Sequence, residues 1–561
     1  MTSRTQRLIV SFFILIPLTV RADVEWHAWT DDVAAQARQS EQPIYLFVAD
    51  PLSELSTSMD TDSFSNAEVA AFLNDNFMCI RATRHDIPTI GAFGQQWLAA
   101  EQKIPGWPLN LWLTPDLEPI EAASYLPPTE EWGREGFMVV ASRVAEKWSS
   151  NANTVRQSAA RRIQLIADYL PFAADGVAEM EAALAEATEL WLASFNAETG
   201  TFGEPLHGAE PELLRFLIAR GGDARETALS ALKTRLASPL RDPIDGGIFR
   251  ATIDGNGRMP LFQKRLTDQA RFALACLDAA QVSGDPVFAA GAKSALNYAI
   301  NRLSPGDGTF IIGEDATIDP KGNRHTWTWA ELTAHTSEDI ARKLGAHPEG
   351  NIDPDDDTEG KFTGQNVLHI DPLNADNAAM RAAFLDLQLT RYSGADARVD
   401  IQADAAAHGL MLHAMNRSTA ELGDLDHGGY LLGTKSTLLR DFGAQTEFFS
   451  HLSRSETAPM PNDYFLLAMG LNDLSLVTAA DEQFYDDEFG LYYAASDEVW
   501  GVRPLRWPST GDSMPDPATW RVLHGNAPEF LVTELTAAFD NPDVLPPGHV
   551  LLALQKHHHS E

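Results

Sequence analysis

The chain has 561 residues, 44% of them hydrophobic, and a formal net charge of -37. A field of that sign repels phosphate backbones and anionic lipids, so nucleic acids and membrane surfaces are not expected as partners. Cys79 and Cys276 are the only cysteines, which excludes a scaffold held by several disulfides. A chain of this length has to fold around apolar cores, in more than one domain.

Residues 1–22 have the pattern of a secretory signal peptide. Arg4 and Arg7 precede an apolar run at 8–20, and a cleavage point is expected before Asp23. The run has about 13 residues, fewer than the roughly 20 that span a bilayer, and an uncleaved anchor is the alternative. We therefore expect an exported protein, periplasmic or secreted, with no membrane span in the mature chain.

Residues 23–150 are predicted to form an α/β domain. Short apolar runs alternate there with polar helical segments. This pattern predicts strands at 44–48, 77–82 and 109–113, and helices at 66–74 and 136–148.

The loop after the first predicted strand reads Ser53-Glu54-Leu55-Ser56. A thioredoxin-fold redox protein carries its dithiol in such a loop, and exchange requires a thiolate that attacks a sulfur. A serine hydroxyl does not ionise near neutral pH, so no dithiol chemistry is expected at Ser53 and Ser56. Pro108 is the candidate cis-proline beside this loop, and a proline that begins an ordinary strand is the alternative. Cys79 and Cys276 lie in apolar runs and are expected to be buried.

Residues 151–561 are predicted to form an all-α domain. Several connections run into a glycine and an aromatic, as in Gly200-Thr201-Phe202 and Gly308-Thr309-Phe310. Paired helices with such connections indicate helical hairpins in a ring, with the connections at one mouth. Amphipathic periodicity predicts helices at 158–169, 177–195, 212–220, 225–236, 267–282, 286–303, 377–392 and 401–415.

Short motifs in a shared order resemble the spermatogenesis-associated protein 20 family. The resemblance implies an α/β thioredoxin-like N-terminal domain followed by an all-α (α/α)6 toroid similar to N-acylglucosamine 2-epimerases. The motifs include Pro43-Ile44-Tyr45-Leu46, Phe77-Met78-Cys79-Ile80, Gly106-Trp107-Pro108-Leu109, the segments 242–250 (DPIDGGIFR) and 260–269 (PLFQKRLTDQ), and Asn366-Val367-Leu368-His369.

This chain departs from the family at the positions that carry chemistry. The family's C-x-x-C corresponds to Ser53 and Ser56, the histidine of its P-H-F-E-K segment to Leu261, and the glutamate to Gln263. Groups capable of proton transfer are thus replaced by groups that cannot do it at neutral pH. We expect a pseudoenzyme: a thioredoxin-fold protein without redox activity, fused to a toroid with a sugar-like ligand pocket, in a binding or scaffold role.

Two other interpretations of the toroid and of the thioredoxin-like face stay open. One is a carbohydrate-active hydrolase or isomerase that uses carboxylates at the toroid mouth, which for hydrolysis lie roughly 5 to 9.5 Å apart. The other is capture of exported polypeptides by the face around Trp107, which requires an exposed apolar patch. The expected partner is accordingly a carbohydrate or an exported polypeptide.

The candidate ligand-binding residues lie in or near predicted inter-helix mouths. Each aspartate among them has a helix cap or a solvated turn as its alternative role. No cofactor or metal is predicted, because the acidic loop at 353–359 lacks the glycine and glutamate of a calcium loop. The candidates are Asp242, Arg250, Lys264, Asp268 and Asp463.

Overall fold

The structure is a computed structural model, and every structural statement below refers to the residues that it describes. These are 23–30, 33–101, 103–131, 133–169, 180–203, 210–252, 254, 257–316, 325–354, 357, 360–375, 377–393, 397–423, 427–443, 449–455, 457–486 and 491–492. The signal-peptide prediction for 1–22 and most of the acidic loop at 353–359 lie outside them. None of the helices in these ranges combines the length and the apolar character that a membrane crossing needs.

The first domain is built on a five-stranded sheet with the order β1-β3-β2-β4-β5. Strand β2 is parallel to β3 and antiparallel to β4, and Leu46 lies between Ile80 and Leu111. All six residues of β2 are buried, so this strand is covered on both faces. The strands are β1 (His27–Ala28), β2 (Ile44–Ala49), β3 (Met78–Thr83), β4 (Leu109–Leu113) and β5 (Pro119–Ala123).

Helices cover both faces of this sheet. Because side chains alternate along a strand, Tyr45 and Phe47 of β2 pack on one face with α3 and the start of α5. Ile44 and Leu46 pack on the other face with α1 and α4. The helices are α1 (Val33–Ser40), α2 (Glu54–Ser58), which continues as a π-helix (Met59–Phe64), α3 (Ala67–Asn76), α4 (Pro88–Ala100) and α5 (Phe137–Tyr169).

The long helix α5 leads from the first domain into the second. Its backbone is helical except at Asn151, where φ is -162° and ψ is 81°. This break falls where the sequence predicts the boundary between residues 150 and 151. The boundary itself stays a prediction.

Helical hairpins make up most of the second domain. The described hairpins pair α7 with α8, α9 with α10, α15 with α16 and α17 with α18, and their first helices pack side by side in the order α7, α9, α15, α17. The helices are α6 (Met180–Ala193), α7 (Pro211–Arg220), α8 (Gly222–Ala237), α9 (Leu266–Ser283), α10 (Pro286–Arg302), α11 (Trp329–His335), α12 (Glu338–Lys343), α13 (Pro372–Ala375), α14 (Ala378–Arg391), α15 (Ala405–Leu422), α16 (Gly428–Asp441), α17 (Pro461–Leu471) and α18 (Ser475–Phe484).

Short strands occupy the connections between these helices. One of the sheets they form has three strands, in the order β10-β11-β14. Its residues Gln263 and Arg398 form hydrogen bonds with the first domain. The strands are β6 (Phe195–Asn196), β7 (Thr201–Phe202), β8 (Ala251–Thr252), β9 (Pro260–Leu261), β10 (Gln263–Arg265), β11 (Gly313–Asp315), β12 (Thr326–Thr328), β13 (Gln365–Val367), β14 (Arg398–Asp400), β15 (Tyr485–Asp486) and β16 (Leu491–Tyr492). The predicted fold class, a thioredoxin-like α/β domain followed by an all-α toroid, is confirmed.

One predicted helix begins later than its periodicity indicates. The sequence predicts a helix from residue 401, whereas α15 starts at Ala405. Residues 398–400 instead pair with β11 as a strand. The Asp404 side chain then caps the helix by accepting a hydrogen bond from the backbone N–H of Ala407 at 2.6 Å.

Candidate ligand site between the two domains

The loop after β2 lies against the three-stranded sheet of the helical domain. The side-chain amide of Gln263 on β10 donates to the carbonyl oxygen of Leu52 at 3.0 Å. Arg398 on β14 donates to the hydroxyl of Thr57 at 3.0 Å. The face of the first domain that would carry a dithiol in a redox protein therefore meets the connections of the helical hairpins.

A cavity of about 330 Å³ lies where these two surfaces meet. This volume is at the lower end of the range found for small-molecule sites. Leu261 and Gln263, which replace the family's histidine and glutamate, both face it. The lining residues are Asp50, Leu52, Ser53, Glu54, Leu55, Arg84 and Trp107 from the first domain, and Arg250, Leu261, Gln263, Arg265 and Asp315 from the second.

Ser53 and Ser56 lie at the start of α2, beside the loop that contains Pro108. The Ser53 hydroxyl caps α2 by accepting a hydrogen bond from the Ser56 backbone N–H at 3.4 Å, and it donates to the carbonyl oxygen of Trp107 at 3.3 Å. The Trp107–Pro108 peptide bond is cis. Ser56 is buried, and its hydroxyl accepts from the backbone N–H of Asp50 at 3.2 Å. Both hydroxyls thus stabilise the backbone of this loop.

Asp50 joins the two domains at the floor of the cavity. Its Oδ2 lies 2.7 Å from Nη2 of Arg265 and 3.4 Å from Nη1 of Arg84, and its Oδ1 accepts from the backbone N–H of Leu52 at 3.0 Å. Burial alone would raise the pKa of Asp50, but Arg265 and then Arg84 hold it well below its usual range. The carboxylate stays ionised and cannot act as a proton donor. The sequence analysis missed this residue because its partners are distant in the chain.

Arg250 presents a guanidinium group to the cavity. Its Nη1 is 3.5 Å from Oδ2 of Asp268, and that oxygen has no hydrogen-bond partner among the described residues. Nor does the guanidinium donate a hydrogen bond within the described ranges. Burial and then the like charge of Arg265 lower the pKa of Arg250 to about 10, so it remains charged at neutral pH. Of the five predicted ligand-binding residues, Arg250 lines the cavity, and Asp268 is the carboxylate beside its guanidinium group.

Asp242 and Lys264 do not line the cavity but neutralise each other in a buried network. Nζ of Lys264 donates to Oδ2 of Asp242 at 2.8 Å and to the carbonyl oxygen of Gly246 at 2.9 Å. Arg391 on α14 donates to the same Asp242 oxygen at 2.6 Å and also contacts Asp245. The Asp242 and Lys264 side chains are each 1% exposed. Both side chains are thus held inside the helical domain and do not line this cavity, and a role for them in ligand binding stays a prediction.

Asp463 also lies away from the cavity. It is fully buried at the start of α17, where its carboxylate accepts from the backbone N–H of Met460 at 2.7 Å. The same carboxylate lies 2.9 Å from Nδ1 of His451 and accepts from the backbone N–H of Ala406 at 3.2 Å. Its position is that of a helix cap, the alternative role considered for it.

The two cysteines are free, buried and absent from the cavity wall. Burial raises the pKa of the Cys79 thiol to about 12, and burial likewise raises the pKa of Cys276. A thiol of this kind does not form a thiolate near neutral pH. In the part of the chain that the structure describes, no group of three or more His, Cys, Asp or Glu residues could hold a metal ion.

Comparison with known proteins places the chain among thioredoxin-like sequences. Residues 8–167 match the Thioredox_DsbH family model, described as a protein of unknown function, DUF255. Spermatogenesis-associated protein 20 from Rattus norvegicus is 29% identical over 379 residues, which are 62% of this chain and 48% of the rat protein. The Mus musculus protein is 26% identical over 556 residues, 86% of this chain and 70% of that protein. The chain thus spans about half the length of the rat relative.

Among solved structures, cellobiose 2-epimerase from Bacillus thermoamylovorans B4167 has a TM-score of 0.37 and 10% sequence identity. That match covers 68% of this chain and 87% of the epimerase. The motifs, the family model and the relatives support assignment of the chain to the spermatogenesis-associated protein 20-like family, as a divergent member that lacks the C-x-x-C.

Proposed function

We propose that this protein is an exported, redox-inactive thioredoxin-fold protein that binds a small sugar-like ligand in the cavity between its two domains. The ligand is a monosaccharide-sized, polyhydroxylated molecule that carries a carboxylate. Binding is its role, and the thioredoxin-like domain forms one wall of the site instead of exchanging thiols.

The observation that carries this proposal is the Arg250 guanidinium at the cavity. It is charged, largely buried and 3.5 Å from its nearest carboxylate, Asp268. A buried arginine without hydrogen bonds is unfavourable unless a ligand supplies the acceptors. A carboxylate matches the fork of guanidinium donors better than any neutral group does.

The absence of redox function is supported by the chemistry of the loop. Ser53 and Ser56 occupy the start of α2, and neither can form a thiolate or a disulfide. The two cysteines are buried, neither lines the cavity, and their thiol pKa values are raised. Thiol exchange at this face would need a sulfur that the described cavity wall does not contain.

Binding has more support than turnover by carboxylates at the toroid mouth. A hydrolase of the two-carboxylate type needs one group that gives up a proton near neutral pH. Asp50 is held ionised by two arginines, and Oδ2 of Asp315 accepts from Arg398 at 2.9 Å. Capture of exported polypeptides has less support as well, because Trp107 lines the interdomain cavity and the neighbouring loop after β2 contacts Gln263 and Arg265 of the helical domain.

Calorimetric titration of the full chain with glucuronate and with glucose tests this function. We expect glucuronate to bind at least tenfold more tightly than glucose, because only the acid offers Arg250 a carboxylate. Arg250→Gln is expected to lower glucuronate affinity by about tenfold or more, since a charge-assisted hydrogen bond is lost.

Arg161→Gln is the matched control, because Arg161 lies on the exposed surface of α5 and does not line the cavity. It should leave glucuronate affinity unchanged. The proposal is wrong if neither sugar binds, or if Arg250→Gln and Arg161→Gln behave alike. Reduction of insulin disulfides by the purified protein would overturn the redox-inactive part.

A further inference from the structure

A second cavity, of about 540 Å³, lies in the helical domain away from the first. Its wall brings together the turn between β6 and β7, the loop between β8 and β9, and the segment after α12. The titratable side chains in this wall are Glu198, Arg258, His347 and His369. None of these residues lines the interdomain cavity.

The basic groups of this cavity have no protein anion as partner. Among the described residues, the Arg258 guanidinium and the His347 ring make no hydrogen bond or ion pair, and Nδ1 of His369 is buried without a hydrogen-bond partner. Burial lowers the pKa of His369, the backbone of Val367 opposes this decrease, and Arg258 and His347 add to it. All three side chains line the same cavity.

Nitrogen donors from three separate segments meet in this wall, although the chain as a whole has 79 acidic and only 42 basic side chains. Glu198 is the one acidic side chain in the described wall, and it is exposed. An arginine with two further N–H donors beside it is suited to binding an anion.

Hydrogen bonds hold the loop that carries His347 in place without using its ring. The side chain of Asn366 accepts from the backbone N–H of His347 at 2.8 Å and donates to its carbonyl oxygen at 3.1 Å. Asn351 donates to the carbonyl oxygens of Gly345 at 2.9 Å and of Val367 at 2.8 Å. These hydrogen bonds fix the backbone of His347 beside strand β13 and do not involve its ring.

Gly345 makes room for the second imidazole. Its φ is +73°, and a Cβ added there would lie 2.1 Å from Cε1 of His369. Only glycine therefore allows the His369 ring to lie over this turn. This gives a physical role to the Asn366-Val367-Leu368-His369 motif, which the interdomain cavity does not use.

We propose that Arg258, His347 and His369 form a binding site for a tetrahedral oxyanion, carried as a phosphate or sulfate group. Arginine supplies a bidentate donor pair, and each imidazole supplies one further N–H. The cavity is larger than a free oxyanion needs, so it has space for the organic part of a monoester.

Titration of the full chain with inorganic phosphate, inorganic sulfate and glucose 6-phosphate tests the site, with glucose and chloride as references. We expect all three oxyanions to bind more tightly than chloride. Arg258→Gln and His347→Gln are each expected to weaken phosphate binding by about tenfold or more. If glucose 6-phosphate binds more tightly than inorganic phosphate, the ligand of this site is a phosphate monoester. If the two bind equally, the ligand is the free ion.

The variants should fold, because the side chains of Arg258 and His347 are exposed and unpartnered among the described residues. Their unchanged thermal midpoints without ligand check this. Arg161→Gln serves as the matched control and should keep full phosphate affinity. The proposal fails if no oxyanion binds more tightly than chloride, or if Arg258→Gln binds phosphate as the parent does. Neither result bears on Arg250 and glucuronate, so the two proposals fail separately.

Discussion

At the scale of single residues, the positions at which the family has reactive groups make structural hydrogen bonds in this chain. Ser53 caps α2 and contacts the Trp107 carbonyl. Gln263 links the two domains through Leu52 and accepts from Nε of Arg265 at 2.9 Å. A thiol and a carboxylate are thus replaced by neutral groups that hydrogen-bond to the surrounding backbone and side chains. The site retains its shape without the chemistry of proton or thiol transfer.

The retained shape of the loop leads to a prediction for the double variant Ser53→Cys with Ser56→Cys. Residue 53 stands at the N-terminus of α2, where a thiol pKa is lowered, and the two positions are one helical turn apart. We expect a disulfide between the two introduced thiols after exposure to oxidised glutathione. A mass decrease of about 2 Da relative to the reduced protein measures it.

The parent protein is the control for this experiment. Its buried thiols, Cys79 and Cys276, should not react with an aromatic disulfide reagent in native buffer, and both should react in denaturant. The single variant Ser53→Cys should gain one reactive thiol and no disulfide. If the double variant stays reduced while its two new thiols react freely, the loop does not have the geometry of a dithiol site.

At the scale of elements, apolar periodicity was sufficient for the main strands and helices. The runs at 44–48 and 109–113 predict strands that the structure has at Ile44–Ala49 and Leu109–Leu113. Periodicity predicts the start of α15 too early. The preceding residues form β14, and the pairing of β14 with β11 depends on residues that are far away in sequence.

The candidate site was also only partly predictable from the sequence, because it depends on contacts between residues that are far apart in the chain. Arg250 and Asp268 lie in motifs; Arg250 lines the cavity, and Asp268 contacts Arg250. Lys264 and Asp242 lie in the same motifs but neutralise each other, which depends on side-chain direction in three dimensions. Asp50 carries no local signal at all, since both its arginines come from other elements.

The crossing of α15 and α17 depends on two glycines. A Cβ added to Gly409 of α15 would lie 2.4 Å from the carbonyl oxygen of Leu466, and one added to Gly470 of α17 would lie 2.4 Å from that of Gly409. Backbone atoms cannot yield as a flexible side chain can. We therefore expect Gly409→Ala to lower the free energy of unfolding by about 2–3 kcal/mol, as overpacking of a core does.

Gly429→Ala is the control for this prediction. Gly429 lies in the first turn of α16, and an added Cβ would meet nothing within 4 Å. Alanine is the better helix former, so this variant is expected to be neutral or up to about 1 kcal/mol more stable. Urea unfolding of both variants gives the comparison. Equal midpoints for Gly409→Ala and Gly429→Ala would contradict the close crossing.

At the scale of the whole molecule, polar contacts hold the two domains together. Besides the Asp50–Arg265 pair, Gln402 of the helical domain donates to Asp86 of the first domain at 2.9 Å and contacts the Thr83 hydroxyl at 3.0 Å. The cavity exists only while these contacts hold. Ligand affinity and domain association are therefore linked, because a ligand that bridges both walls stabilises the joined state.

The pair formed by His85 and Asp400 makes this interface sensitive to pH. Nε2 of His85 lies 3.5 Å from Oδ2 of Asp400, and the Asp400 side chain is 2% exposed. The pKa of Asp400 is raised to about 6: burial raises it most, the backbone N–H of Gln402 lowers it, Asp50 raises it, and Arg265 and Arg84 lower it. Burial also lowers the pKa of His85 well below its usual value. Both groups are thus favoured in their neutral forms.

The variant Asp400→Asn measures how much Asp400 contributes to the pH dependence of the free energy of unfolding. A carboxyl whose pKa is raised on folding stabilises the protein below its unfolded pKa, and this contribution is lost as the pH rises through about 6. We expect the stability advantage of the asparagine variant over the parent to be about 2 kcal/mol larger at pH 7.5 than at pH 4.5, and to vanish below the unfolded pKa of the carboxyl. The contributions of Asp50 and His85 to the pH dependence of stability are present in both proteins and largely cancel in this comparison.

The control variant is Asp75→Asn, at an exposed aspartate, which should show no such pH trend in urea unfolding. A difference between parent and Asp400→Asn that is the same at both pH values would mean that Asp400 titrates normally, and that charge burial does not oppose closure of the two domains.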